Sequence, residues 1–124
     1  MTRVNVGVDP SELPDRLLLA EHREITRIPN AVTSGRAKLV YIPQEFTLGA
    51  GHVKFFYDKL GYLKSRYEQL YSECIRRGFR VTNKSDAFIG VTGDYVETGR
   101  EREIIVARIN SKGFHLITQE VTQL

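Results

Sequence analysis

Apolar residues recur along this chain mainly with helical spacing. Between positions 53 and 74, Val53, Phe56, Leu60, Leu63, Tyr67, Leu70 and Cys74 follow one another at steps of three and four residues. That spacing puts all seven on one stripe of a helix, and Tyr57 and Tyr71 widen it. Arg76 and Arg77 then precede Gly78. Cations at the negative end of the helix dipole, followed by a residue that tolerates positive φ, predict a stop there. Such a stripe is a core face, so its aromatics are read as packing groups and Cys74 as a small core residue.

An earlier helix is predicted from Ser11, read as its N-cap, with Pro14 tolerated in the first turn. Leu13, Leu17, Ala20 and Ile28 keep helical spacing through this segment, and Pro29 is expected to end or bend it. Residues 29–51 mix Gly, Ser, Asn and Pro and read mostly as loop, with room for a helical turn. The stretch 100–112 is ambiguous. Ile104, Ile105, Val106 and Ile109 are β-branched and suit a strand as well as a helix. If it is helical, Arg108 and Lys112 share a face. Residues 114–124 show no strong pattern.

A chain of 124 residues with 41% hydrophobic and 27% charged residues suits one compact domain, 1–124, with a real core and a polar surface. No run of about 18 apolar residues occurs, which argues against a membrane span. The start lacks the apolar centre of a secretion signal, so a cytosolic or nucleoid-associated protein is expected. A single cysteine excludes a disulfide framework and a thiolate metal cluster. The net charge of +3 hints at a polyanionic partner. Residues 51–80 concentrate the excess, with seven bases (Lys54, Lys59, Lys64, Arg66, Arg76, Arg77, Arg80) against three acids (Asp58, Glu68, Glu73). On charge alone this reads as a solvated helix face.

Familiar catalytic signatures are missing: no P-loop, no GxGxxG, no HExxH and no paired cysteines. His22, His52 and His115 lack ligand spacing, which argues against a zinc site. Two features remain. His22-Arg23-Glu24-Ile25-Thr26-Arg27 sets a carboxylate between two arginines. It reads either as a surface salt-bridge ladder or as a carboxylate able to move a proton beside a bound phosphate. The chain also begins Met-Thr-Arg. A small second residue favours removal of the initiator methionine and would expose the amine of Thr2. A terminal amine has a reference pKa of about 7.7–8.0 against about 10.4 for lysine, so near neutrality much of it is free to attack an electrophilic carbon.

Taken together, three blocks resemble the pyrimidine-dimer DNA glycosylases with abasic-site lyase activity, the family of phage endonuclease V. The first is Met1-Thr-Arg-Val-Asn5 with Leu-Leu-Ala-Glu-His-Arg-Glu-Ile-Thr-Arg at 18–27. The second runs from Phe46 through Gly-Ala-Gly-His-Val to Leu60 and continues over Glu73–Phe79. The third is Gly93-Asp94-Tyr95 with Ala107-Arg108 and Lys112. The resemblance implies an all-α fold of three main helices with long connecting loops, and so a helix at 100–112. It implies that the amine of Thr2 attacks C1′ of the damaged nucleotide, and that Glu24 serves as the catalytic carboxylate. Arg3, Arg23, Arg27, Arg108 and Lys112 match residues that contact DNA. The implied partner is damaged double-stranded DNA, held by a monomer with no metal or organic cofactor. The chain departs from the phage member at Leu17, where that protein has a histidine, and in its last residues, which lack the aromatic, lysine-rich tail. A glycosylase or lyase for another lesion, a non-catalytic DNA-binding relative and a helical protein-interaction module are the alternatives. Thr2 and Glu24 speak against the non-catalytic relative, and an interaction module predicts no salt-dependent affinity for DNA.

Overall fold

The computed structural model describes residues 2–117. Four α-helices organise them: α1 (Asp15–Glu24), α2 (Arg27–Thr33), α3 (Leu60–Arg76) and α4 (Arg100–Ser111). Short 3-10 turns cover Pro10–Glu12, Gly49–Gly51, Lys54–Phe56 and Ser85–Phe88, and no strand occurs among the described residues. The chain is all-α, and the ambiguous third stretch is a helix. The end of the predicted tail, 118–124, lies outside the described residues.

Local chemistry explains where the boundaries depart from the sequence pattern. Ser11 does not cap α1. Asp9 caps the preceding 3-10 turn, accepting from the Ser11 amide at 2.9 Å while the Glu12 carboxylate accepts from the Asp9 amide at 3.1 Å. This reciprocal capping box ends the turn at Leu13, and α1 then starts behind Pro14 without a side-chain cap. The first helix breaks at Ile25–Thr26 and resumes as α2, four residues ahead of Pro29. A proline there has no N–H for the Ile25 carbonyl, and its ring would strike that carbonyl in a continuous helix.

The long stripe is also divided. Val53 to Tyr57 belong to a separate turn, and α3 begins at Leu60. The carbonyls of Thr92 and Gly93 accept from the amides of Gly61 and Tyr62 at 3.1 and 2.8 Å. A returning loop thus satisfies the open amides of the first turn of α3 in place of a preceding helix. Gly93 has φ +104 and lies so close to Asp58 that a Cβ would overlap its carbonyl. The far end of α3 follows expectation. Gly78 adopts φ +82, and the Phe79 amide returns to the Cys74 carbonyl at 2.9 Å.

One hydrophobic core joins these elements. Leu18 of α1, Ile25 just after it, Leu63, Tyr67, Leu70 and Cys74 of α3, and Ile105 and Ile109 of α4 are buried with Phe46, Phe55, Phe56 and Phe88. Val4, Val6 and Val8 of the extended N-terminal segment are each fully buried. The chain's start is thereby held within the core beside α1. At the other end, Glu101 in the first turn of α4 fixes the segment before it, accepting from the Thr98 amide, the Thr98 hydroxyl and the Tyr95 hydroxyl. Burial opposes its charge, yet these donors hold its carboxyl at about 2.

Candidate active site

The N-terminal segment is positioned by two buried polar ties. The first is built on Glu21 of α1 and Arg66 of α3, whose side chains are only 1% and 5% exposed. Arg66 donates through Nε and Nη2 to the two Glu21 oxygens at 2.5 and 3.0 Å. Asn5 Nδ2 donates to Glu21 Oε1 at 2.8 Å, and Arg66 Nη1 donates to the Val8 carbonyl at 2.9 Å. The pair therefore grips the segment at Asn5 and at Val8, and its charges satisfy each other where water cannot.

The second tie is His52, 4% exposed, edge-on to the rings of Phe46 and Phe56. Its Nε2 accepts the Val4 N–H at 2.9 Å, so the ring hydrogen must sit on Nδ1, 3.3 Å from the Thr47 carbonyl. A second ring proton would face an amide donor. Burial lowers the His52 pKa; the Thr47 carbonyl opposes this, Arg3 and Arg108 reinforce it, and Glu21 opposes it weakly. His22 is lowered too, first by burial and then by Lys84. With both folded-state values depressed, the unfolded chain takes up these protons first as acid is added. Stability is thus expected to be fully present above the ordinary value of 6.5 and to fall as pH drops below it toward the folded values. Denaturant midpoints from pH 8 to 5 check this, and His52→Gln should flatten part of the slope.

Beside these ties lies a cleft of about 210 Å³ lined by Arg3, Asn5, Leu17, Ala20, Glu21, Glu24 and Arg108. Leu17, Ala20, Glu21 and Glu24 occupy one face of α1 by helical spacing, while Arg3 comes from the N-terminal segment and Arg108 from α4. Burial, and then the neighbouring Arg3, push the Arg108 guanidinium below its usual range. Two cations sharing one cleft make it receptive to an anion. Glu24 is largely enclosed, its side chain 17% exposed, and its one ion pair among the described residues is a long 3.5 Å contact to Arg23. A second cavity of about 430 Å³ adjoins the first, sharing Leu17, Ala20 and Arg108 and adding Arg16, Ile109, Lys112 and Phe114.

The structure thus brings Arg3, Glu24 and Arg108 into one cleft, with Thr2 the chain neighbour of Arg3 and Lys112 in the adjoining cavity. Arg23 and Arg27 are exposed and line neither cavity. Asn5, Glu21, His52 and Arg66 were not singled out by sequence. A usable signal existed: Glu21 falls between Leu18 and Ile25, and Arg66 follows Leu63 by three, so both charges occupy core positions. The reading of the basic stretch at 51–80 as a solvated face needs correcting at two residues. Arg66 is buried against Glu21, and Arg77 bridges Glu73 and Asp15 with its side chain 10% exposed.

A small helical protein whose cleft sets two arginines around an enclosed carboxylate is suited to receive an anionic group. Residues 1–87 match the pyrimidine dimer DNA glycosylase family, and the chain belongs to it. It is therefore a DNA-repair glycosylase, with DNA as its substrate. The matched span contains Thr2, Arg3, Asn5, Glu21, Glu24, His52 and Arg66; Arg108 and Lys112 lie beyond it.

Proposed function

We propose that the protein cleaves the glycosidic bond of one base of a cyclobutane pyrimidine dimer in duplex DNA and then nicks the resulting site by β-elimination. The unprotonated amine of Thr2, exposed by loss of Met1, attacks C1′ of the damaged nucleotide. The C1′–N bond breaks, and the base takes the bonding electrons and a proton while staying joined to its neighbour through the cyclobutane ring. Opening of the sugar ring gives an imine between the amine nitrogen and C1′. Glu24 assists these proton transfers and then takes the 2′ proton. The electron pair moves to form the C2′–C3′ double bond, and the 3′ phosphate departs. Water releases the amine. Covalent catalysis of this kind divides one difficult cleavage into easier steps.

The observation that carries the reading is Glu24 sharing a cleft with Arg3 and Arg108, beside an N-terminal segment clamped at Val4, Asn5 and Val8. A terminal amine is a useful nucleophile only if its chain is held still, and those ties do that. The arginines, with Arg23, Arg27 and Lys112 around them, would hold phosphates and so position the strand rather than read its bases.

Borohydride trapping tests the reading on two duplexes, one with a single abasic site and one with a single thymine dimer. Covalent adducts on both, mapped by mass to Thr2 in a protein lacking Met1, are expected. An adduct on the abasic duplex alone would replace the dimer by another base lesion. No adduct on either would leave a DNA-binding relative without lyase chemistry.

A further inference from the structure

Tyr41 is the most exposed large hydrophobic side chain among the described residues, at 92%, and the only non-glycine there with positive φ, +55. A tyrosine in this backbone region is strained, and such strain is characteristic of functional positions. Its neighbours Leu39 and Val40 are also more than half exposed. Yet residues 35–44 form no greasy loop: they include Arg36 and Lys38 and no carboxylate. Lys54 Nζ sits 5.9 Å from the Tyr41 ring centre. Arg36, Lys38 and Lys54 make no ion pair among the described residues.

Both ends of this loop are tied to segments that adjoin cleft residues in the chain. At one end the Ala37 amide donates to the Ala31 carbonyl of α2, the helix that begins three residues after Glu24. At the other, Phe46 packs edge-on to His52, whose ring accepts the Val4 amide two residues from Thr2. The loop therefore runs from α2, which follows Glu24 in the chain, to the Phe46 ring packed on the histidine that holds the Val4 amide.

We propose that this loop is a second DNA-contact surface, in which Tyr41 stacks on the bases of the duplex at the damaged step while Arg36, Lys38 and Lys54 hold the adjoining phosphates. The inference rests on DNA being the substrate; it does not depend on the amine mechanism. An aromatic ring with few rotatable bonds loses little entropy on docking and can stack on any base, and a cationic surround supplies the charge complement. A disrupted stack is the place on a duplex where such a ring can enter at least cost.

The test is a binding titration on a duplex carrying one tetrahydrofuran abasic analogue, which has no aldehyde and so forms no imine. Tyr41→Ala is expected to weaken binding on the order of tenfold, the scale of one lost base–aromatic stack. Tyr41→Trp should bind within twofold of the unaltered protein. The chain contains no tryptophan, so that variant has a single indole, and its emission should be quenched and shielded from acrylamide by the duplex. Tyr41 is almost wholly exposed, so neither change threatens folding, and circular dichroism checks this. Unaltered affinity of Tyr41→Ala, or an indole that stays bright and accessible in saturating duplex, overturns the proposal. So does a Tyr41-dependent dimer in sedimentation, which would make a second copy the occupant. If the unaltered protein itself fails to bind the duplex, the DNA reading fails along with the loop.

Discussion

Glu24→Gln is expected to lower strand cleavage at an abasic site by about 10²- to 10⁴-fold, the usual worth of a positioned general acid–base group. Affinity for the uncleavable tetrahydrofuran duplex should stay within about threefold. The amide keeps the shape of the carboxylate and can still fill the cleft between Arg3 and Arg108, but it cannot take a 2′ proton. The only ion pair it gives up among the described residues is the long contact to exposed Arg23, so the fold should be indifferent. Single-turnover cleavage beside equilibrium binding separates the two effects. Parallel losses of rate and affinity would mean that Glu24 organises the cationic face and does no proton transfer.

Arg66→Met is expected to be the most damaging single change to stability, at about 3–5 kcal/mol, because it leaves the Glu21 carboxylate buried without its partner. Arg66 is also the donor to the Val8 carbonyl, so the N-terminal segment would loosen at the same time. The double change Glu21→Leu with Arg66→Met should recover most of the stability, since no charge is then left unpaired. It should not recover cleavage, because Asn5 loses the acceptor that fixes it beside the cleft. Denaturant midpoints for the three proteins, compared with their cleavage rates, distinguish a clamp for the nucleophile's arm from a mere fold-stabilising pair. Restored activity in the stable double variant would contradict the positioning role.

The helices around Leu63, Tyr67, Leu70 and Cys74, and the stop at Gly78, were legible because periodicity and end chemistry are local properties. Their signals lie within a few residues of the structure they produce. The ambiguity at Ile104–Ile109 could not be settled locally, since β-branched residues suit either state; burial of Ile105 and Ile109 on one side settles it as helix. The breaks at Ile25–Thr26 and at Asp58–Lys59 are different cases. Pro29 announced the first, within a few residues of where it falls. The second depends on loop 92–93 docking on the start of α3, some thirty residues away, which no local pattern records.

The candidate site divides in the same way. Residue chemistry offered the Thr2 amine and the Glu24 carboxylate only as possibilities, and the resemblance of the sequence blocks to the glycosylase family singled them out together with the arginines. Neither could say which of them share a cleft. Arg3, Glu24 and Arg108 meet only because the N-terminal segment, α1 and α4 converge, while Arg23 and Arg27, closer to Glu24 in sequence, are exposed and do not line the cleft. The same convergence turns Arg66 from a surface charge into half of a buried clamp, and makes His52 a neutral acceptor for one backbone amide. Composition and spacing specify which groups and helices are available. Proximity, burial and protonation are properties of groups far apart in sequence, and they come into being only when the core closes.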